Sequence, residues 1–161
     1  MKTKENIYSL LSEIPDPEIP VISIVELGVI REVVLSENAI EIKITPTYSG
    51  CPAMKQMEDD VRKKLQENGC TNITITTIYT PAWTTDWLSA EAKLNLQKYG
   101  IAPPEESSTD KSFLLGKQKT VTCPRCKSND TAMVSQFGST ACKALYKCNT
   151  CLEAFDYFKC I

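Results

Sequence analysis

Two pairs of cysteines carry the clearest chemical signal in the chain: Cys123-Pro124-Arg125-Cys126 and Cys148-Asn149-Thr150-Cys151. A Cys-x-x-Cys knuckle turns two sulfurs toward one point, and two knuckles supply the four thiolates that close a tetrahedral shell around zinc. The intervening stretch 127–147 is slightly longer than usual for such a site, which a longer hairpin absorbs. The same sulfurs would also suit a single tetrathiolate iron or a pair of redox dithiols. Cys142 and Cys160 lie outside the knuckles and read as buried thiols.

Another cysteine stands apart. Cys51 precedes Pro52 where a strand pattern gives way to a helical one, so its sulfur is expected near the unpaired N–H groups of a helix start. That setting favours the thiolate, the form that attacks electrophiles and binds metals. The competing reading is a small apolar plug beneath the helix.

The elements that must position these sulfurs follow from periodicity. Ile7, Leu10, Leu11 and Ile14 recur at helical spacing over 2–14, and Pro15-Asp16-Pro17 ends that helix. Residues 29–35 and 39–45 read as two strands around Ser36-Glu37-Asn38, with Ile40, Ile42 and Ile44 facing in and Glu41 and Lys43 facing water. Met54, Met57, Val61 and Leu65 form a second helical face closed by Gly69, and Ile73, Ile75 and Ile78 mark a third strand. A further helix is expected from Thr85-Asp86 to Tyr99. The prediction is an α+β chain. A small domain over 1–100 packs its helices on one face of a three-stranded, mainly antiparallel sheet. A Pro- and Ser-bearing linker covers 101–118, and a small β-rich, four-cysteine zinc ribbon covers 119–161. That last piece is near the ~40-residue size below which a hydrophobic core alone seldom suffices, so a metal staple is expected.

Composition bounds the function. With 42% hydrophobic and 24% charged residues the chain is globular. It shows no apolar run of membrane-spanning length and no signal-peptide pattern at its start, so a cytoplasmic location without a membrane partner is expected. In a reducing compartment eight cysteines point to metal or thiol chemistry rather than disulfides. Histidine is absent, which removes the usual general base and mixed Cys/His metal sites. A net charge of −2 gives no overall attraction for nucleic acid.

The first eighty or so residues resemble the MIP18 (DUF59) family, which assists iron–sulfur protein maturation. The resemblance is carried by Asp16-Pro17-Glu18-Ile19, by Ser23-Ile24-Val25-Glu26-Leu27-Gly28, and by Thr45-Pro46-Thr47 leading to Cys51-Pro52. Glu26 stands where many relatives have aspartate. The remainder is similar to one branch of that family, the PaaD components of the phenylacetyl-CoA ring-epoxidising complex, through 79–87, 137–146 and 155–160.

The resemblance implies an accessory subunit that helps assemble an iron or iron–sulfur centre in the oxygenase of that complex or in its iron–sulfur flavin reductase. Cys51 would be a transient ligand, and Asp16, Glu18, Thr45 and Thr47 its neighbours. Each neighbour also has a plain reading, as turn acids and strand threonines. Trp83 and Trp87, four apart, are expected to anchor a partner from one helical face, with core packing as the alternative. A homo-oligomer is compatible with the sequence. No di-iron ligand pair, dinucleotide fingerprint or catalytic base is present, so the chain is not expected to be an enzyme by itself. Two other classes compete. A nucleic-acid binder would use Arg125, Lys127, Lys143, Lys147 and Lys159, against the acidic total, and a thiol oxidoreductase would use one knuckle.

Overall fold

The computed structural model describes residues 3–104 and 120–159. They form two compact units, one built from the chain up to Trp83 with Trp87–Ser89, the other from Thr84–Asp86 and the chain from Ala90 onward.

In the first unit, helix α1 (Lys4–Leu11) is opened by Thr3, whose hydroxyl accepts the Asn6 N–H at 3.3 Å. It buries Ile7 and Leu11 as the spacing predicts but stops at Leu11 rather than Ile14. Pro15 disfavours helical backbone at the residue before it, and the Ser12 hydroxyl closes the last turn by donating to the Tyr8 carbonyl at 2.8 Å.

Strands β1 (Ile30–Leu35) and β2 (Ile40–Ile44) make the expected antiparallel hairpin, with Val33 opposite Ile42 and Leu35 opposite Ile40. Ile40, Ile42 and Ile44 enter the core, while on the wet face Lys43 pairs with Glu32 at 2.7 Å and Glu41 accepts the Thr76 hydroxyl at 2.9 Å. Helix α2 (Ala53–Glu67) then crosses to β3 (Ile73–Thr77), which runs parallel to β2, giving the order β1-β2-β3. A parallel neighbour needs such a crossover, since a tight turn can only reverse the chain. α2 ends where the Cys70 N–H reaches the Leu65 carbonyl and the Gly69 N–H reaches that of Gln66, a Schellman closure that needs the positive φ of Gly69. The helices pack on one face of the sheet, and the class is α+β as predicted.

The helix expected from Thr85 is shorter. Thr85–Trp87 is a 3-10 turn capped by the Thr84 hydroxyl, and α3 runs from Ala90 to Tyr99 because the Ser89 N–H is taken by the Glu26 carbonyl at 3.3 Å. The first residues of the expected linker 101–118 have regular structure. Ile101–Ala102 is a short strand, β4, buried beside Asp156 and Tyr157 of β7 (Ala154–Phe158). The rest of the predicted linker, 105–118, lies outside the described residues, as does Cys160. With β5 (Thr131–Ser135) and β6 (Lys143–Cys148), these strands form a sheet of order β4-β7-β6-β5. Its core joins Val121, Ala144, Phe155 and Tyr157 to Tyr146, whose ring stacks on Phe155 at 6.0 Å and meets Tyr157 edge-on at 5.7 Å. Cys142 is buried just ahead of β6, as expected. Among the described residues no helix is long and apolar enough to cross a membrane.

Candidate metal centre and thiol site

The two knuckles have the same backbone shape. In the first, the Lys127 N–H returns to the Cys123 carbonyl at 3.0 Å and Lys127 adopts φ 64°. In the second, Leu152 takes φ 63° and the Cys151 N–H points at the Cys148 sulfur, 3.5 Å away. A left-handed residue directly after each second cysteine folds the chain back, leaving both sulfurs of a knuckle on its inner side. The knuckles are tied to each other by Asn149 Nδ2 donating to Asp130 at 2.8 Å, by Ser128 and Thr150 hydroxyls 2.7 Å apart, and by the Arg125–Glu153 ion pair.

This places Cys123 Sγ 3.8 Å from Cys151 Sγ and Cys126 Sγ 3.5 Å from Cys148 Sγ, with all four sulfurs within 4.8 Å of one another. Metal–sulfur bonds of about 2.3 Å at tetrahedral angles separate the sulfurs by about 3.8 Å, so the group has the size of one tetrahedral ion. The Cys151 N–H holds the Cys148 thiol down at about 6. For Cys151, the Glu153 N–H favours the thiolate, but desolvation and hydrogen bonds shared with the other three cysteines outweigh it and push the thiol up to about 12. Four thiolates this close repel one another, and a single cation among them removes the conflict. The four predicted ligands are therefore a four-cysteine metal-binding group.

Cys51 is built differently. It lies just ahead of α2, whose N-cap position is Pro52, and its thiol receives the Ala53 N–H as the helix start predicts. The thiolate expected there is nevertheless disfavoured. Burial pushes the thiol up; the Ala53 N–H and the Tyr48 hydroxyl oppose this, and the Glu18 and Asp16 carboxylates reinforce it. Cys51 is thus a neutral thiol at ordinary pH, only 9% exposed.

The Glu18 and Asp16 carboxylates act on the Cys51 thiol through space. Asp16 also has a structural duty: its buried carboxylate accepts the Glu18 and Ile19 N–H groups at 2.9 and 2.7 Å, fixing the turn after α1. Thr45 is fully buried just past β2, and its hydroxyl has no hydrogen-bond partner among the described residues. Thr47 is half-buried in the loop that follows.

Two features of this region escaped the sequence reading. Tyr48 sits beside Cys51, a contact that its position three residues earlier could have suggested. Glu26 and Ser23 form a reciprocal capping box, with Ser23 N–H to Glu26 at 2.8 Å and Glu26 N–H to Ser23 at 3.1 Å, whose Ser-x-x-Glu spacing was legible.

The tryptophans do not form the exposed anchor that was expected. Trp83 is 5% exposed and its indole N–H donates to the Leu27 carbonyl at 2.9 Å. Trp87 lies under Arg31, whose guanidinium carbon is 3.5 Å from the ring centroid. They share no helix, because the chain between them is the 3-10 turn. Core packing, the alternative reading, accounts for Trp83.

Residues 4–84 match the family described as iron-sulfur cluster assembly protein, and residues 107–159 match that described as PaaD zinc beta ribbon domain. The class is thus an iron–sulfur assembly domain followed by a four-cysteine ribbon. An Escherichia coli protein described as the candidate D component of 1,2-phenylacetyl-CoA epoxidase is 48% identical over 96% of this chain and 92% of its own length. The chain belongs to this PaaD family. An iron–sulfur protein maturation auxiliary factor from Porphyromonas gingivalis is 35% identical over 60% of the chain and 92% of its own length. The crystal structure of a DUF59 domain from Bacillus anthracis, 32% identical, covers 58% of the chain and 90% of that domain with a TM-score of 0.55.

Proposed function

We propose that this chain is an accessory maturation subunit of a bacterial phenylacetyl-CoA ring 1,2-epoxidase system, assisting assembly of an iron or iron–sulfur centre in the oxygenase or its reductase. The observation that carries the reading is Cys51, a buried thiol whose proton is favoured by burial and by the charges of Glu18 and Asp16, in a domain similar to iron–sulfur maturation factors. A thiol with a raised pKa gives up its proton only when a cation takes the proton's place, and regains it readily when the cation leaves. The nearby carboxylates attract the cation and disfavour the bare thiolate. The result is a ligand suited to exchange, with the iron centre as cargo and with Thr45 and Thr47 as hydroxyl neighbours. The chain itself turns over no substrate.

The knuckle cysteines are read as a structural zinc site. A tetrathiolate iron would fit the same sulfurs, whereas an iron–sulfur cluster would put the two knuckles on different irons and spread their sulfurs beyond the 4.8 Å found here. Zinc would supply a cross-link between the knuckles, and a closed four-sulfur shell has no open position for a substrate. One zinc per chain, without the visible absorption of tetrathiolate iron, is the expected composition.

The test of the main reading is Cys51→Ser in cells that make the whole epoxidase system. The reductase and oxygenase are purified separately and assayed for iron and acid-labile sulfide. At least a fivefold loss of iron in one of them, with the zinc content of this chain unchanged, is expected. Full iron and sulfide in both would exclude Cys51 as a delivery ligand.

A further inference from the structure

The strand pairing gathers several segments to one edge of the first sheet. Ile30, at the start of β1, and Thr77, at the end of β3, both lie opposite Ile44, at the end of β2. The loop carrying Cys51 leaves this edge from β2, and the loop 78–82 leaves it from β3. α2 returns along the sheet, so its first turns stand at the same edge, where Glu58 accepts the Thr77 hydroxyl at 3.2 Å. Tyr79–Ala82 therefore stands beside the helix start that holds Cys51.

This loop is clamped at both ends and bare between them. The Ile78 N–H donates to the Ile44 carbonyl at 2.8 Å, and Trp83 is locked on Leu27. Between these anchors Tyr79, Thr80, Pro81 and Ala82 are all exposed, Tyr79 to 65%. Charge is missing from both loops: no Asp, Glu, Lys or Arg occurs between Lys43 and Lys55 or between Glu67 and Asp86. In a chain that is 24% charged, the longest such stretches near the thiol are the ones that meet at its edge. Depletion of charge with an exposed tyrosine is the composition of an interface centre, not of an ordinary loop.

We infer that Tyr79–Ala82 is the lip on which a client protein docks to reach Cys51. The occupant's identity rests on the maturation reading. Ligand exchange requires the client's own ligands to approach the Cys51 sulfur, and a protein surface that does so must also cover the adjacent lip. With no charges on either loop to pair with, the part of the client that meets the lip is held by apolar and hydroxyl contacts. The Asp16, Glu18 and Glu58 carboxylates lie beyond the lip, so substitution at Tyr79 rather than salt isolates its contribution.

The test places a photo-reactive benzoylphenylalanine at Tyr79 in the full chain. A control carries it at Glu37, which is exposed at the β1–β2 turn on the opposite edge. Each is mixed with the purified apo-reductase and apo-oxygenase components in turn, with and without an excess of unlabelled chain. Crosslinking to one component at least fivefold above the Glu37 control, and no longer competed by unlabelled chain once that competitor carries Tyr79→Asp, is expected. Equal yields at both positions, competition undiminished by Tyr79→Asp, or crosslinks to a second copy of this chain would each overturn the inference. Repeating the experiment in the Cys51→Ser background separates the two ideas. Retained crosslinking with a fully loaded client refutes the cargo role alone, whereas a client starved of iron without crosslinking at Tyr79 refutes the lip alone.

Discussion

The two cysteine sites use the same atom for opposite ends. At the knuckles, backbone N–H groups and neighbouring sulfurs converge until one thiol is held down at about 6 and the set matches a single tetrahedral ion. At Cys51, one N–H and one hydroxyl meet a lone sulfur, and burial and two carboxylates keep it protonated. Sulfur chemistry alone decides neither case. What differs is how many donors the backbone aims at the sulfur and what charge surrounds it. On the proposed reading, the site that keeps its metal assembles several sulfurs, and the site that releases one leaves a single thiol that prefers its proton.

The contrast breaks most visibly at Cys148. Cys148→Ala removes a fully buried ligand from the four-cysteine group. Structural metal binding of this kind is coupled to folding by about 10 kcal/mol. Loss of all tightly bound metal and of protease resistance across 120–159 is expected. Cys51→Ser should leave both unchanged, and metal analysis with limited proteolysis checks the pair.

A smaller effect separates two glycines of the Cys51 region. Gly28 has φ 78°, and a Cβ there would lie 3.0 Å from Trp87 Cβ and 3.2 Å from its carbonyl oxygen. Gly50 has φ 79° with nothing within 4 Å. Gly28→Ala is expected to cost about 2 kcal/mol, combining backbone strain with a clash, and Gly50→Ala about 1 kcal/mol from strain alone. Urea denaturation of the two variants measures the difference, and equal costs would show that Trp87 yields without penalty.

The sequence showed the knuckles and the hairpin because each is a local pattern: Cys-x-x-Cys twice, and alternating isoleucines at 40, 42 and 44. It suggested that Asp16 and Glu18 lie near Cys51 only through resemblance, since the chain between them has no period that brings them together. It misplaced the charge state of Cys51. The helix start was correctly located, but burial and the through-space charges of Glu18 and Asp16 outweigh the N–H, and no local rule weighs them. Trp83 was misjudged for a related reason. Its polar neighbours suggested exposure, while its indole N–H found a carbonyl at Leu27, distant in sequence. The strand at Ile101–Ala102 was hidden by its length, since two residues carry no alternation.

The finest distinction concerns the carboxylates at Cys51. Since the thiol titrates above its ordinary value of 9.0, its reactive anion is a minority at pH 7 and grows about tenfold per pH unit until the raised pKa is passed. Alkylation of Cys51 by iodoacetamide, followed by mass spectrometry, should therefore be slow at pH 7 and still accelerating above pH 9. Glu18→Gln removes one negative charge that opposes the thiolate, lowering the pKa and speeding alkylation at pH 8 by about two- to threefold, as expected for a half-exposed charge screened by water. The direction carries the information. Were Cys51 instead an activated thiolate of the kind a helix start alone would produce, its alkylation would already have levelled off near neutral pH, and neutralising Glu18 would change nothing at pH 8.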